Sequence, residues 1–253
     1  MLLELHALEK IITASGRDFR FLVVPSKASI YPEYVGWTPL PSHGQGAFDL
    51  FREAQRHFPL KSLVPLEVPL FAGKFGPHRL YDPAASTWNG HGAAVAADAL
   101  HRSLYKREIA TPVIPATDPD DDLERQAFGI STPAPVATVR HLKGFHADGL
   151  GRTVIYGDTG IERLLPHLLP MVQGLDVIES GNIPSGRFEE DLRAYDSLLI
   201  QTTASTLEDL SIDLDALRRL GSALRRGQWD ITVSVWMDRD IIRVRPGRAA
   251  TAY

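Results

Sequence analysis

The segment YGDTG, residues 156–160, places Asp158 and Thr159 between two glycines at the end of an apolar run. A hydroxyl in such a turn is a candidate nucleophile. It acts only when a base lies within about 2.6–3.2 Å and a third group orients that base. A second turn-rich segment, YDPAASTWNGHGAA at residues 81–94, carries His91 four residues beyond Thr87. If the following helix starts early, the two positions share a face and His91 leans toward the same pocket. Thr159, His91 and Asp158 are therefore the candidate catalytic set. Asp82 is a candidate to orient the base, and His78, farther along the same loop, is a weaker substitute. The plainer alternative is that Gly157 and Gly160 permit a tight turn, Asp158 holds the loop or caps the next helix, and His91 is structural.

Other residues suggest binding. Trp88 and Asn89 offer an aromatic plane and an amide, a pair suited to a sugar ring. Equally, Trp88 packs the loop onto the core and Asn89 bonds its own turn. Tyr31, Tyr34 and Trp37 in SKASIYPEYVGW form a second aromatic group bordering the same cleft, with Lys27 as a polar neighbour or a solvent-facing charge. His141, His146 and Asp148 spell HxxxxHxD in a glycine-containing stretch without a helical register. Metal ligands must converge in space, and this spacing does not ensure it, so the expectation is a surface loop and no metal. GDTG lacks the lysine of a phosphate-binding loop, and nothing signals a tightly bound cofactor. The turn can still offer backbone N–H groups to a carbonyl or sugar oxygen.

The elements that position these residues alternate between helix and strand. Leu2, Leu5, Leu8, Ile11 and Ile12 recur at helical spacing, predicting a helix over 2–15 ended by Gly16. FRFLVVP reads as a buried strand delivering the SKASIYPEYVGW loop. GQGAFDLFREAQRHFP reads as a helix stopped at Pro59, and SLVPLEVPLF as a strand or an irregular apolar segment. Residues 91–105 form an alanine-rich helix. TVIYG is a strand entering the Asp158 turn, and IERLLPHLLPMV a helix interrupted or kinked at Pro166. LDVIES and YDSLLIQTT are further strands. Leu207, Leu210, Leu214, Leu217 and Leu220 mark a helix over 206–221, and the alternation after Trp229 predicts a terminal hairpin. Repeated strand-then-helix units imply an α/β sandwich with a mostly parallel sheet, whose functional loops lie at the carboxyl ends of the strands.

Composition bounds the function. The chain has 253 residues, 44% apolar and 23% charged, with a formal net charge of -4. That balance fits a globular protein and gives no support to nucleic acid as a partner. The absence of cysteine excludes disulfides, thiolate catalysis and Cys-ligated metal. No apolar run is long enough for a transmembrane segment. MLLELHALEK lacks a basic leader region, so it is not a signal peptide. The compartment stays open: periplasmic for a domain excised from an exported protein, cytoplasmic otherwise. Residues 110–135, rich in proline and aspartate, read as an exposed connection within one domain spanning 1–253.

Three ordered segments together resemble a known family. FLVVPSKASIYPEY, STWNGHGAAVAADAL and VIYGDTG resemble, in order, the opening strand and loop, the Asp-x-His-Trp segment and the nucleophile turn of the SGNH hydrolase-like domain of alginate O-acetyltransferase and related polysaccharide acetylation proteins. The resemblance spans roughly residues 3–200. It implies a three-layer α/β sandwich, action on acetyl esters of exported bacterial polysaccharides, and acetylation or secretion machinery as partners. It also implies an Asp–His pair and a serine. Those positions fall on Ala85, Thr87 and Thr159, so all three depart from the active pattern. Ala85 has no proton acceptor, and Thr87 cannot serve as a base near neutral pH. Thr159 retains an oxygen with a restricted rotamer. Two outcomes follow: a degenerate domain that binds a glycan or a partner, or a divergent acetylesterase or O-acetyltransferase using Thr159 with a displaced histidine.

Overall fold

The computed structural model describes residues 1–34, 47–82, 87–105, 139–143, 150–158, 160–179, 194–210, 212, 232–236 and 241–245. Helix α1, Leu2–Ala14, fully buries Leu5, Leu8, Ile11 and Ile12, as its spacing predicts. Gly16 ends it at φ 76°, with Gly16 N–H donating to Thr13 O at 3.0 Å and Arg17 N–H to Ile12 O at 3.2 Å. This crossed pair is the Schellman closure, and the left-handed residue in it favours glycine.

Strand β1, Asp18–Val24, pairs in parallel with the two-residue strand β2, Leu63–Val64, and along its length with β6, Ser197–Thr203. Between them in sequence come β3, Val139–Lys143; β4, Leu150–Gly157; and β5, Val172–Glu179. The sheet order is β2-β1-β6-β4-β5-β3, parallel except for β3, which runs antiparallel to β5 at the edge. Alternate residues of each central strand enter different cores. Phe19, Phe21, Val23, Val154, Tyr156, Leu198 and Ile200 pack with α1 and with Phe51 of α3, Ala47–His57. Leu22, Val24, Ile155, Val177 and Leu199 pack on the other face, against α4, Glu67–Gly73; α5, Gly90–Tyr105; and α6, Ile161–Leu168. Burial on both faces is what a parallel sheet between helical layers requires, and the result is the expected three-layer α/β sandwich. The terminal hairpin is present as β7, Thr232–Trp236, against β8, Ile241–Arg245, with Val233 opposite Val244.

Several local expectations change. SLVPLEVPLF is neither one strand nor irregular. Pro65 follows the short β2, and α4 begins two residues later with Pro69 in its first turn, where its missing N–H has no helical partner to lose. The SKASIYPEY loop contains a short helix α2, Lys27–Ile30, capped by Ser26 Oγ accepting from Ser29 N–H at 3.2 Å, then a 3₁₀ turn at Pro32–Tyr34. Helix α6 runs through Pro166 to Leu168 without interruption. The helix expected from 206 does not start there: Leu207–Asp209 is a 3₁₀ turn and Leu210 is extended. Leu214, Leu217, Leu220 and the 110–135 connection lie outside the described residues. Among the described residues no helix is long and apolar enough to cross a membrane.

Candidate active-site turn and its surroundings

The carboxyl ends of β4 and β6 meet at Asp158. Its Oδ1 accepts from Gln201 Nε2 at 2.7 Å, and its Oδ2 accepts from Thr203 N–H at 2.6 Å and from the Thr206 hydroxyl. Thr202 Oγ1 lies 3.5 Å away. Donors from the end of β6 and from the turn after it thus hold the carboxylate. The turn must be tight. A Cβ on Gly157 would lie 2.6 Å from Ile161 Cγ1, and Gly160 has φ 95°. Thr159, between Asp158 and Gly160, lies outside the described residues, as does Ala85.

The second loop reaches this turn. Trp88 is 1% exposed, bridges Tyr81 in antiparallel fashion, and donates from its indole N–H to Gly160 O at 3.1 Å. Thr87 is also buried, and a Cβ on Gly160 would lie 3.5 Å from Thr87 Cβ. The two sequence segments therefore converge, although 72 residues separate Trp88 from Gly160. Asn89 caps α5: its Oδ1 accepts from His91 N–H at 3.0 Å and Gly92 N–H at 3.1 Å, and its Nδ2 donates to Arg79 O at 2.9 Å. Asparagine is a preferred cap because its side-chain oxygen answers N–H groups that no helical carbonyl can reach. A Cβ on Gly92 would lie 2.3 Å from Leu80 O and 2.8 Å from Trp88 Cβ, so only glycine lets the helix start this close to the loop.

His91 is half-buried, and its ring stacks on the exposed His78 ring with centroids 4.2 Å apart. A third imidazole, His167 on α6, was not legible as a site residue. It is 4% exposed, and its Nδ1 has no hydrogen-bond partner among the described residues. Burial pushes it below the ordinary histidine value, a hydrogen bond to the Gly90 backbone works the other way, and neighbouring His91 lowers it further. The available signal was a polar residue between Leu164 and Leu168 on the apolar stripe of α6.

Around Tyr31 the predicted aromatic group divides. Tyr31 is buried, stacks on Tyr34 at 5.7 Å, meets Tyr81 edge-on at 6.1 Å and accepts from Leu80 N–H at 3.1 Å. Tyr34 is 69% exposed. Tyr81 donates to Pro25 O at 2.7 Å, and burial raises its hydroxyl above the ordinary tyrosine range. Lys27 donates to Asp82 O at 2.7 Å, tying the first loop to the second. Trp37, His146 and Asp148 lie outside the described residues, and His141 is on β3. Among the described residues no group of three histidines or carboxylates is arranged to hold a metal ion.

A family model described as the RACo linker region matches residues 187–251, well under half of the chain. No curated protein matches. Solved structures do. The O-acetyltransferase domain of Pseudomonas putida AlgJ aligns with TM-score 0.52 at 14% identity, covering 88% of this chain and 89% of its own. Bacillus cereus PatB1 with a sulfonyl adduct aligns with TM-score 0.55 at 14% identity, covering 85% and 90%. A DHHW family protein from Eubacterium siraeum aligns with TM-score 0.51 at 12% identity, covering 84% and 89%. At these identities the likeness is one of fold, and that fold is the SGNH-hydrolase-like α/β sandwich implied by the three sequence segments.

Proposed function

We propose that this chain is a catalytically degenerate SGNH-like domain, one unit over residues 1–253, that binds a glycan or a partner in polysaccharide acetylation or secretion. One observation carries the reading. The residue before Trp88, whose side chain meets the Gly160 turn, is Thr87. The resemblance implies a histidine there, and a threonine hydroxyl takes no proton near neutral pH. The carboxylate beside the turn offers no replacement, because Asp158 already accepts from Gln201, Thr203 and Thr206. A hydroxyl without a base is a poor nucleophile. The fold likeness to an O-acetyltransferase domain supports an acetylated glycan as the ligand class.

A second reading, an acetylesterase or O-acetyltransferase using Thr159 and a displaced His91, is favoured by one observation. His91 sits in the first turn of α5, half-buried and stacked on His78, near the buried His167, whose burial lowers its pKa. Acetyl-ester turnover separates the two. Purified protein, Thr159→Ala and His91→Ala are compared on a small chromogenic acetyl ester and on an acetylated polysaccharide. The degenerate reading expects no turnover above the variants. Activity in the parent protein that both variants lose would overturn it in favour of the Thr159–His91 enzyme.

A further inference from the structure

A surface next to these loops holds exposed rings in a fixed arrangement. On α4 and the turn after it, Val68, Phe71 and Phe75 are 76%, 46% and 74% exposed. Phe71 and Phe75 meet edge-on at 5.6 Å. Lys74 Nζ lies 4.4 Å from the Phe71 ring centre, 5.2 Å from Phe75 and 5.7 Å from Tyr31, on which Tyr34 is stacked. The same ammonium donates to Ile30 O at 3.0 Å and to Glu33 Oε2 at 3.1 Å. With its side chain 8% exposed, Lys74 props the rings from beneath. Contiguous exposed apolar surface marks an interaction site, and rings already fixed cost little to order on binding.

Charge selects the occupant. Glu33 answers the Lys74 cation, and a backbone hydrogen bond followed by Lys74 holds its carboxyl below the usual range. Glu67, at the start of α4, reaches Arg52 at 3.2 Å. The shelf thus sets Phe71 and Phe75 edge to face around a cation already balanced by Glu33, so Lys74 itself offers no free charge to an anionic bilayer or a polyuronate. Flat rings with a hydroxyl and a carboxylate at their edge match the C–H faces and hydroxyl rims of uncharged sugars. The geometry points to a docking shelf for a neutral polysaccharide, formed by Tyr34, Phe71 and Phe75 over Lys74. This rests on the glycan reading above and names its surface and ligand class. Tyr31 connects the shelf through Tyr81 to Trp88 and the Gly160 turn.

The test is affinity electrophoresis in gels containing glucomannan, which is neutral, or alginate, which is anionic, with sedimentation on phosphatidylglycerol vesicles at low salt. The expected result is retardation by glucomannan in preference to alginate. Phe75→Ala and Tyr34→Ala should each weaken it about tenfold with unchanged thermal melting. If both variants bind glucomannan as the parent does, the shelf is wrong while the glycan reading stands. Preference for alginate or vesicles also overturns the shelf. If no polysaccharide retards the parent protein, the glycan reading falls and the shelf with it.

Discussion

The Gly160 turn and the shelf around Lys74 are joined by packed rings but treat their groups in opposite ways. At the turn Trp88 and Asn89 face inward, 1% and 6% exposed, and Asp158 is clasped by the end of β6 and the turn after it. At the shelf the polar group is underneath and the rings face water, with Phe75 at 74% and Tyr34 at 69%. The difference separates architecture from recognition. In the loops around the turn, the Trp88 indole N–H, the Asn89 side chain and the Asp158 carboxylate are all answered within the protein. Exposed aromatic side chains lie instead on the neighbouring surface.

The largest effect expected from this contrast is at Gly92. A methyl there would meet Leu80 O at 2.3 Å, and that carbonyl also accepts from Asn89 N–H at 2.9 Å. Backbone cannot swing aside as a flexible side chain does, so Gly92→Ala should cost about 3 kcal/mol in urea unfolding. Phe75→Ala on the shelf should stay within about 0.5 kcal/mol. Equal losses at the two positions would break the comparison.

A smaller effect is expected at Asp158. Asp158→Asn keeps the shape but replaces one acceptor oxygen with an N–H₂ that faces donors. Hydrogen bonds to a charged group contribute more than neutral ones, and the buried donors left behind add to the loss, so about 2 kcal/mol is expected in urea unfolding. Glu33→Gln, the matching change at the shelf, should move the melting temperature far less, because the Glu33 side chain is about half exposed and its pairing is screened by water. A silent Asp158→Asn would mean that the turn stands without its clasp.

Much of the frame was legible because it rests on periodicity. The spacing of Leu5, Leu8, Ile11 and Ile12 defined α1 and the face it buries, and the apolar runs gave the central strands. The order of the three segments anticipated that Trp88 and the Gly160 turn would meet. What escaped was set by partners distant in sequence. Asn89 and Trp88 suit a sugar as well as a turn, and only Arg79 O and Gly160 O decide where their N–H groups go. Phe71 was not recognised as a surface ring, because SLVPLEVPLF reads as a strand or an irregular apolar segment until Pro69 is placed in the first turn of α4, and Phe75 lies just beyond that run. Leu207 and Leu210 fit a helical stripe by spacing, yet Thr206 turns back to Asp158 and the chain follows it into a 3₁₀ turn.

The smallest effect is a pH slope at His167. Burial favours its neutral form, so its folded pKa lies below the ordinary value of 6.5, near which the unfolded chain takes up its proton. Below that value the unfolded state binds the proton first. Stability is therefore whole above about pH 6.5 and declines as the pH falls toward the folded pKa. His167→Leu also removes the contact with the Gly90 backbone, so its stability at neutral pH is not the readout. The readout is the difference in unfolding free energy between pH 7.5 and pH 5, measured for both proteins. The variant should lose less on acidification than the parent. Equal losses would mean that His167 takes up its proton as readily in the fold as in the unfolded chain, and so is not held in the inward-facing frame.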